Sequence, residues 1–236
     1  MTDGGAGAYR WYSRRMAINP GRILHVDDAL LAVHKLSGEL VVRGKGPIEK
    51  LPLLDFLRKD YPGVRPLHRL DFETSGVVVF SRRKDVLASV VESKFAGWTK
   101  VYRAILMGDV QRREGEISTP LPSRETKELV PAHTRYKVLE RLHNATYVEA
   151  VIEKGRHHQL RRHFASIGHA LALDTVYGND KFNRSFTRKY RFKRFFLHAY
   201  SVTLPHPLTG ERLTITAPMP SVFEEALERI RRTGRE

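Results

Sequence analysis

LHRLDFETSGVVVFSRRKD, Leu67 to Asp85, is the stretch on which the reading of this chain turns. VVVF, Val77 to Phe80, is an unbroken apolar and mostly β-branched run, the pattern of a strand buried on both faces. From about Arg83 to Phe95 the apolar residues Val86, Leu87, Val90, Val91 and Phe95 recur at helical spacing, so a helix follows the strand. Ahead of the strand stand His68, Arg69 and Asp71, then the small polar turn Thr74-Ser75-Gly76. A carboxylate at a strand mouth stays ionised when cations neighbour it, as a nucleophile or a base must. The same grouping also suits an ordinary Asp-Arg pair that fixes a turn, and residue chemistry leaves both open.

Working outward, ILHVDDALLAVHK (Ile23 to Lys35) places two short apolar runs around Asp27-Asp28 and predicts a hairpin leading into SGELVV. LPLLDFLRKDYPG repeats Leu53, Leu54 and Leu57 at helical spacing and stops at Pro62-Gly63. KVYRAILMG, the segment from His133 to Leu142, and ATYVEAVIEKG alternate as half-exposed strands do. HHQLRRHFASIG reads as a short helix with Leu160, Phe164 and Ile167 on its apolar face and Gly168 at its stop. LHAYSVTL and ERLTITAP flank PHPLTG as a hairpin, and Ser221 with Glu224 predicts a capping box opening a last helix through Val222, Phe223, Ala226, Leu227 and Ile230. KFNRSFTRKYRFKR, Lys181 to Arg194, reads as a basic, aromatic-interleaved insertion outside the core, suited to stacking on bases and holding phosphates. Strands outnumber helices, which predicts an α+β fold: a large, mostly antiparallel mixed sheet with flanking helices. Residues 1–20, Gly-rich and then basic, are expected to be a loose leader, with one domain over 21–236.

The chain carries 41 Lys+Arg against 26 Asp+Glu, a formal net charge of +15. That excess favours an acidic partner, and nucleic acid comes first because neutralising phosphates releases counterions. Cysteine is absent, which excludes disulfides, thiolate nucleophiles and thiolate zinc sites. No apolar run reaches the roughly 18 residues of a membrane helix, and MTDGGAGAYRWYSRRM lacks the apolar core of a signal peptide, so a cytoplasmic protein without membrane attachment is expected.

HRLDFETSG resembles the HRLD-x-x-TSG signature of the RluA-type pseudouridine synthases, which isomerise chosen uridines in ribosomal or transfer RNA. KVYRA, GRHHQLRRH and FFLHA match three further segments of that family in order, and the resemblance runs from about Ile23 to Pro218. It implies the pseudouridine synthase catalytic fold, with Asp71 as the catalytic residue, Tyr102 stacking on the target base and Arg161 pairing with the Asp71 carboxylate. It also implies that Arg69 helps hold the flipped nucleotide, that Leu197 adds apolar lining, and that His68, Thr74, Arg156, His158 and Gln159 belong to the RNA-binding set. Two segments depart from the family pattern: HKLSGELVV has His34 and Leu36 where Asn and Pro are usual, and GHALALDTVYG has Ala170 for Pro and Leu173 for Gly.

RNA is the expected partner, with no cofactor, no metal and action as a monomer expected. His157, His158 and His163 lack the H-E-x-x-H spacing of a zinc site, and neither a G-x-S-x-G elbow nor a phosphate-binding G-x-x-x-x-G-K-[ST] loop occurs. Two other readings remain to be separated: a catalytically silent RNA-binding or ribosome-assembly factor of the same fold, and a metal-dependent nuclease using Asp71 and Glu73. With no ribosomal-protein-like domain ahead of the catalytic part, recognition is expected to fall to the catalytic domain, the leader and the basic insertion. RRHFASIGH followed by GNDKFNR leans toward the branch that modifies transfer RNA.

Overall fold

The computed structural model describes residues 18–44, 50–123 and 126–233, so most of the expected leader lies outside the described residues. After a 3-10 turn at Pro20–Arg22, the elements in chain order are β1 (Ile23–Val26), β2 (Leu30–Lys35), α1 (Leu53–Asp60), β3 (Arg65–Pro66), β4 (Ser75–Ser81), α2 (Lys84–Glu92) and β5 (Thr99–Met107). There follow β6 (Glu114–Ile117), β7 (Leu121–Pro122), β8 (Leu129–Val130), β9 (Thr134–Leu142), β10 (Ala145–Ile152), α3 (Gln159–Ser166), α4 (Asp180–Tyr190), β11 (Leu197–Pro205), β12 (Arg212–Thr216) and α5 (Ser221–Thr233). Among the described residues ten strands form one sheet in the order β1-β2-β4-β11-β5-β10-β9-β6, with β3 on β4 and β12 on β11. Every pairing in it is antiparallel except β4 with β11. This is the expected α+β architecture.

Strand β4 is buried along its whole length because both of its faces are covered. Val77 and Val79 join the cluster under α2, with Val86, Val90 and Trp98, while Val78 and Phe80 join the one under α1, with Leu53, Leu54 and Leu57. Alternation along a strand sends successive side chains to opposite faces, so an unbroken apolar run belongs where both faces are dry. The larger cluster lies between the β5–β10–β11 part of the sheet and α3, α4 and α5, with Phe164, Phe186, Phe223 and Ile230 at its centre.

The hairpin expected around Asp27 forms, because the Asp27 Oδ1 accepts the Ala29 and Leu30 N–H groups at 2.7 and 2.8 Å and closes the turn locally. The second hairpin, β11 to β12, also forms, closed by the His206 N–H on the Glu211 carbonyl at 2.7 Å.

Four expectations are corrected. The segment Lys181 to Arg194 is not an insertion outside the core: α4 fills most of it and buries Phe186 and Tyr190, with Phe182 packed beside them and Phe192 buried just beyond. Phe182, Phe186 and Tyr190 recur every fourth residue, a stripe that the surrounding charge obscured. Helix α2 ends at Glu92, since Lys94 and Phe95 take left-handed φ values of 51° and 62°, and Val91 is left 55% exposed. Ile167 falls beyond α3 and is exposed rather than part of its apolar face. No capping box forms at Ser221, which is already helical; the Pro220 carbonyl accepts the Phe223 and Glu224 N–H groups instead, and Val222 faces out.

Candidate active site

The loop from His68 to Thr74 leads into β4 and forms one wall of a cleft of about 1050 Å³. Its path is set by buried Lys35 at the end of β2, whose Nζ donates to the carbonyls of Leu36, Phe72 and Thr74 at 3.0, 3.1 and 2.6 Å. The Gly38 N–H also binds the Phe72 carbonyl, at 2.8 Å, and the Thr74 N–H closes back on the Asp71 carbonyl at 3.2 Å. Lys35 is fully buried, and burial pushes its pKa down to about 8 although Glu39 and Asp71 pull it upward. An ammonium under this loop satisfies carbonyls that would otherwise be orphaned and places a positive charge behind Asp71.

The small turn before β4 has its own reasons. Gly76 has φ of 118°, and a Cβ on it would lie 2.2 Å from the Ala199 carbonyl oxygen, so only glycine lets β11 approach in parallel there. Beside it the Ser75 Oγ and His198 Nδ1 are 2.9 Å apart, while His198 Nε2 faces the Ala217 carbonyl at 3.5 Å. The carbonyl accepts only, so Nε2 carries the proton and Nδ1 accepts from Ser75. Burial holds His198 down at about 4, which keeps this link neutral. Two of the sequence motifs, TSG and LHA, are thus joined by one buried hydrogen bond.

Asp71 lies at the loop apex with its side chain 32% exposed. Its Oδ2 is 3.9 Å from Arg161 Nη1 and its Oδ1 is 3.7 Å from His158 Nε2. The expected Arg161–Asp71 pairing is therefore a loose one. The close partner of Arg161 is Asp174, which the sequence reading did not single out. Arg161 Nε and Nη2 donate to the two Asp174 carboxylate oxygens at 2.6 and 2.8 Å, with the arginine side chain 7% exposed and the aspartate fully buried. The same carboxylate accepts the Val176 and Tyr177 N–H groups at 2.9 and 3.0 Å. Burial pushes Asp174 up, but these donors outweigh it and hold its carboxyl below the usual range. The bidentate grip fixes the guanidinium plane between the rings of Phe195 and Tyr177, whose centroids are 4.7 and 5.1 Å away, and leaves Nη1 turned toward Asp71 and His158.

His158 opens α3 in a left-handed conformation, stacks on His157 and bonds the Tyr177 hydroxyl through Nδ1 at 3.0 Å. Burial pushes its pKa down to about 4, with Arg161 adding to the shift and Asp71 opposing it. As a neutral ring its Nε2 accepts from Arg161 Nη1 at 3.3 Å, so the Nδ1 proton goes to Tyr177. Leu173, in the turn ahead of Asp174, stands where the family pattern has glycine. Leu173 adopts φ of 70° and is buried, so core contacts retain a conformation that strains a branched side chain.

Tyr102, on β5, is 8% exposed and lines the cleft with Leu197 and Leu160. Its cross-strand partners are Ala150 and Ala199, small residues that leave room for the ring on that face. Burial and the nearby negative charge of Asp71 push its hydroxyl pKa up, so it stays a neutral phenol. Asp71, Tyr102, Arg161, His158 and Leu197 come together around one end of the cleft, and Arg69 and Arg156 are exposed at its rim.

The remaining residues of the expected set are held by the protein itself. His68 Nε2 accepts the Val79 N–H at 3.1 Å, its ring meets Trp98 edge-on, and burial holds it neutral with a pKa of about 3. Gln159 is buried and ties the Arg156 N–H to the His133 carbonyl and the Thr134 hydroxyl. Thr74 is buried and serves the loop through its backbone. His163 lies apart from His157 and His158, bound to Thr134 and the Thr119 carbonyl. Lys35, Asp174 and His198 are the site residues that sequence reasoning passed over, although each lies in a segment it quoted.

Residues 29–166 match the family described as RNA pseudouridylate synthase. Ribosomal large subunit pseudouridine synthase C of Escherichia coli (strain K12) is 35% identical over 224 residues, covering 89% of this chain and 70% of that protein. The protein of the same name from Vibrio vulnificus (strain CMCP6) is 33% identical over 221 residues, 89% of this chain and 69% of that one. Among solved structures, human RNA Pseudouridylate Synthase Domain Containing 1 superimposes with a TM-score of 0.70 at 25% identity, over 93% of this chain and 87% of that one. Human RNA Pseudouridylate Synthase Domain Containing 4 shares the fold, with a TM-score of 0.72 at 24% identity over 89% of this chain and 92% of that one. An aspartate at the mouth of β4, a buried tyrosine on β5 lining the same cleft and an arginine clamped by a second aspartate thus sit in a chain that belongs to the RNA pseudouridylate synthase family.

Proposed function

We propose that Asp71 is the group through which this RNA pseudouridine synthase acts on the ribose of its target uridine, and that the target lies in large-subunit ribosomal RNA. Isomerisation breaks the bond from ribose C1′ to uracil N1, turns the base and rejoins it through C5, releasing the C5 proton. The base must leave the helix stack to reach the cleft, at a cost of a few kcal/mol that stacking on the Tyr102 ring and phosphate contacts offset. The observation that carries the reading is the placement of the part-exposed Asp71 carboxylate beside the Tyr102 ring, with Arg161 held by Asp174 and its Nη1 aimed at the carboxylate. A guanidinium anchored by a second carboxylate lends charge to Asp71 without neutralising it in a tight pair, which leaves its oxygens free for the sugar.

The rRNA target is favoured by the names of the relatives, which outweigh the lean of RRHFASIGH and GNDKFNR toward transfer RNA. Action as a monomer in the cytoplasm accords with that substrate. Release of tritium from [5-³H]uridine-labelled ribosomal RNA, measured with the wild type and Asp71→Asn, tests the assignment. Wild-type release abolished in the variant, with RNA binding retained, is the expected result. Equal release from both would remove Asp71 from the chemistry, and binding without release from either would favour a silent RNA-binding factor. Pseudouridine mapping in ribosomal and transfer RNA from cells lacking the protein assigns the target.

A further inference from the structure

Tyr102 has a neighbour on its own face of β5 that the site as described does not use. Lys100, two residues earlier, projects to the same side of the sheet, about 6.7 Å further along the strand. It lines the same cleft and is only 6% exposed. Its Nζ lies 5.7 and 5.6 Å from the ring centroids of Phe95 and Trp98, and among the described residues it has no hydrogen-bond acceptor and no carboxylate at ion-pair distance. Lys35, the other buried lysine of the region, is satisfied by three carbonyls; Lys100 faces aromatic walls and open cleft. At the rim above it stand Lys94 and Lys154, both exposed. The left-handed residues Lys94 and Phe95 form the turn that brings the Phe95 ring over the ammonium.

A buried cation without an anionic partner is costly to the fold, and such a group persists where a ligand supplies the missing charge. We propose that Lys100 is the floor of a second subsite of the cleft, which binds a phosphodiester of the substrate strand next to the target nucleotide. The inference rests on the reading of the cleft as the RNA site. A phosphodiester is the anion that every nucleotide of the substrate carries, and the spacing of Lys100 from Tyr102 along β5 suits the nucleotide adjacent to the one that stacks on the tyrosine. The contact fixes the strand relative to Asp71, and Lys94 and Lys154 draw the same backbone in.

The test compares the wild type, Lys100→Met and Lys100→Arg, with Lys84→Met as a control that removes one exposed charge from α2. Binding of an in vitro transcript of large-subunit ribosomal RNA is titrated against salt, tritium release is followed in parallel, and thermal midpoints are recorded. The expected result is that Lys100→Met weakens binding about tenfold and lowers the slope of log K against log salt by about 0.7. Lys100→Arg restores most of both, Lys84→Met leaves them unchanged, and the thermal midpoint of Lys100→Met rises because an unpaired buried charge is gone. A fallen midpoint with an unchanged salt slope would make Lys100 a packing residue and overturn the proposal. Inorganic phosphate as a sole probe separates the two anion sources: if phosphate stabilises the wild type but not Lys100→Met while RNA binding is equal in both, the site takes a free anion and the proposal fails. Absence of tritium release from the wild type, with the Lys100 effect on binding intact, would refute the target reading and leave the subsite standing.

Discussion

Asp174→Asn is the most informative single perturbation of the site. In the native structure the Asp174 carboxylate accepts from Arg161 Nε and Nη2 and from the Val176 and Tyr177 N–H groups, with no exposure of its side chain. Asparagine keeps one carbonyl oxygen for the two backbone donors, but its amide nitrogen then faces a guanidinium nitrogen, donor against donor. Arg161, at 7% exposure, keeps one neutral oxygen at Nη2, a loose contact to Asp71 and a bond to His158, but no carboxylate within hydrogen-bond distance. Removing one partner of a buried pair costs about 3–5 kcal/mol. For a chain of this size each kcal/mol shifts the midpoint by about 2–4 °C, so a fall of roughly 6–20 °C is expected by calorimetry at neutral pH. The guanidinium also loses the grip that sets its plane, and kcat for tritium release is expected to drop about a hundredfold, the scale of a 1 Å misplacement in a site. The pH dependence adds a signature. Asp174 is held below its ordinary value when folded, so its contribution is present above the unfolded value of about 3.9 and is lost as pH falls through the lower folded value. The acid limb of the stability curve should therefore be shallower in Asp174→Asn. A midpoint within about 2 °C of the wild type, with kcat unchanged, would refute the idea that Asp174 carries Arg161.

Further outcomes follow from other contacts. Lys35→Met leaves the Leu36 and Thr74 carbonyls without this donor and removes one of the two on Phe72, each orphan costing about 1–3 kcal/mol, so the melting midpoint should fall well below that of an exposed control such as Lys84→Met, and tritium release should be lost with it. Gly76→Ala should yield no stable protein, because the new Cβ meets the Ala199 backbone at 2.2 Å, whereas Gly63→Ala, also at positive φ but with open space around it, should cost only about 1–2 kcal/mol of backbone strain by denaturant titration. His68 is neutral when folded, with a pKa lowered from 6.5 to about 3, so the unfolded chain binds the extra proton between those values. Its contribution is full above about pH 6.5 and declines by about 1.4 kcal/mol per pH unit below it; His68→Gln should flatten the fall in stability from pH 6.5 to 4, and parallel curves would refute this.

What the sequence by itself determined is everything that local periodicity encodes. The apolar run Val77–Phe80 dictates a strand with both faces covered, the Leu53-Leu54-Leu57 spacing dictates α1, and Asp27 closes its hairpin through its own side chain. Asp71, Tyr102 and Arg161 were singled out by the resemblance of their short motifs to the RluA-type family, since residue chemistry alone left the Asp71 reading open. Helix α4 was legible in principle, but its stripe of Phe182, Phe186 and Tyr190 is narrow and charge dominates the window around it. Only the tertiary structure decided who holds whom. Arg161 reaches Asp174 across 13 residues, Lys35 reaches the Asp71 loop across 37 and 39, and Ser75 meets His198 across 123. These partners are separated in sequence and joined by sheet order, above all by β11 returning to lie parallel beside β4. A buried charge takes whichever complementary group the fold brings within about 3 Å, and that choice is a property of packing that no local window of sequence contains.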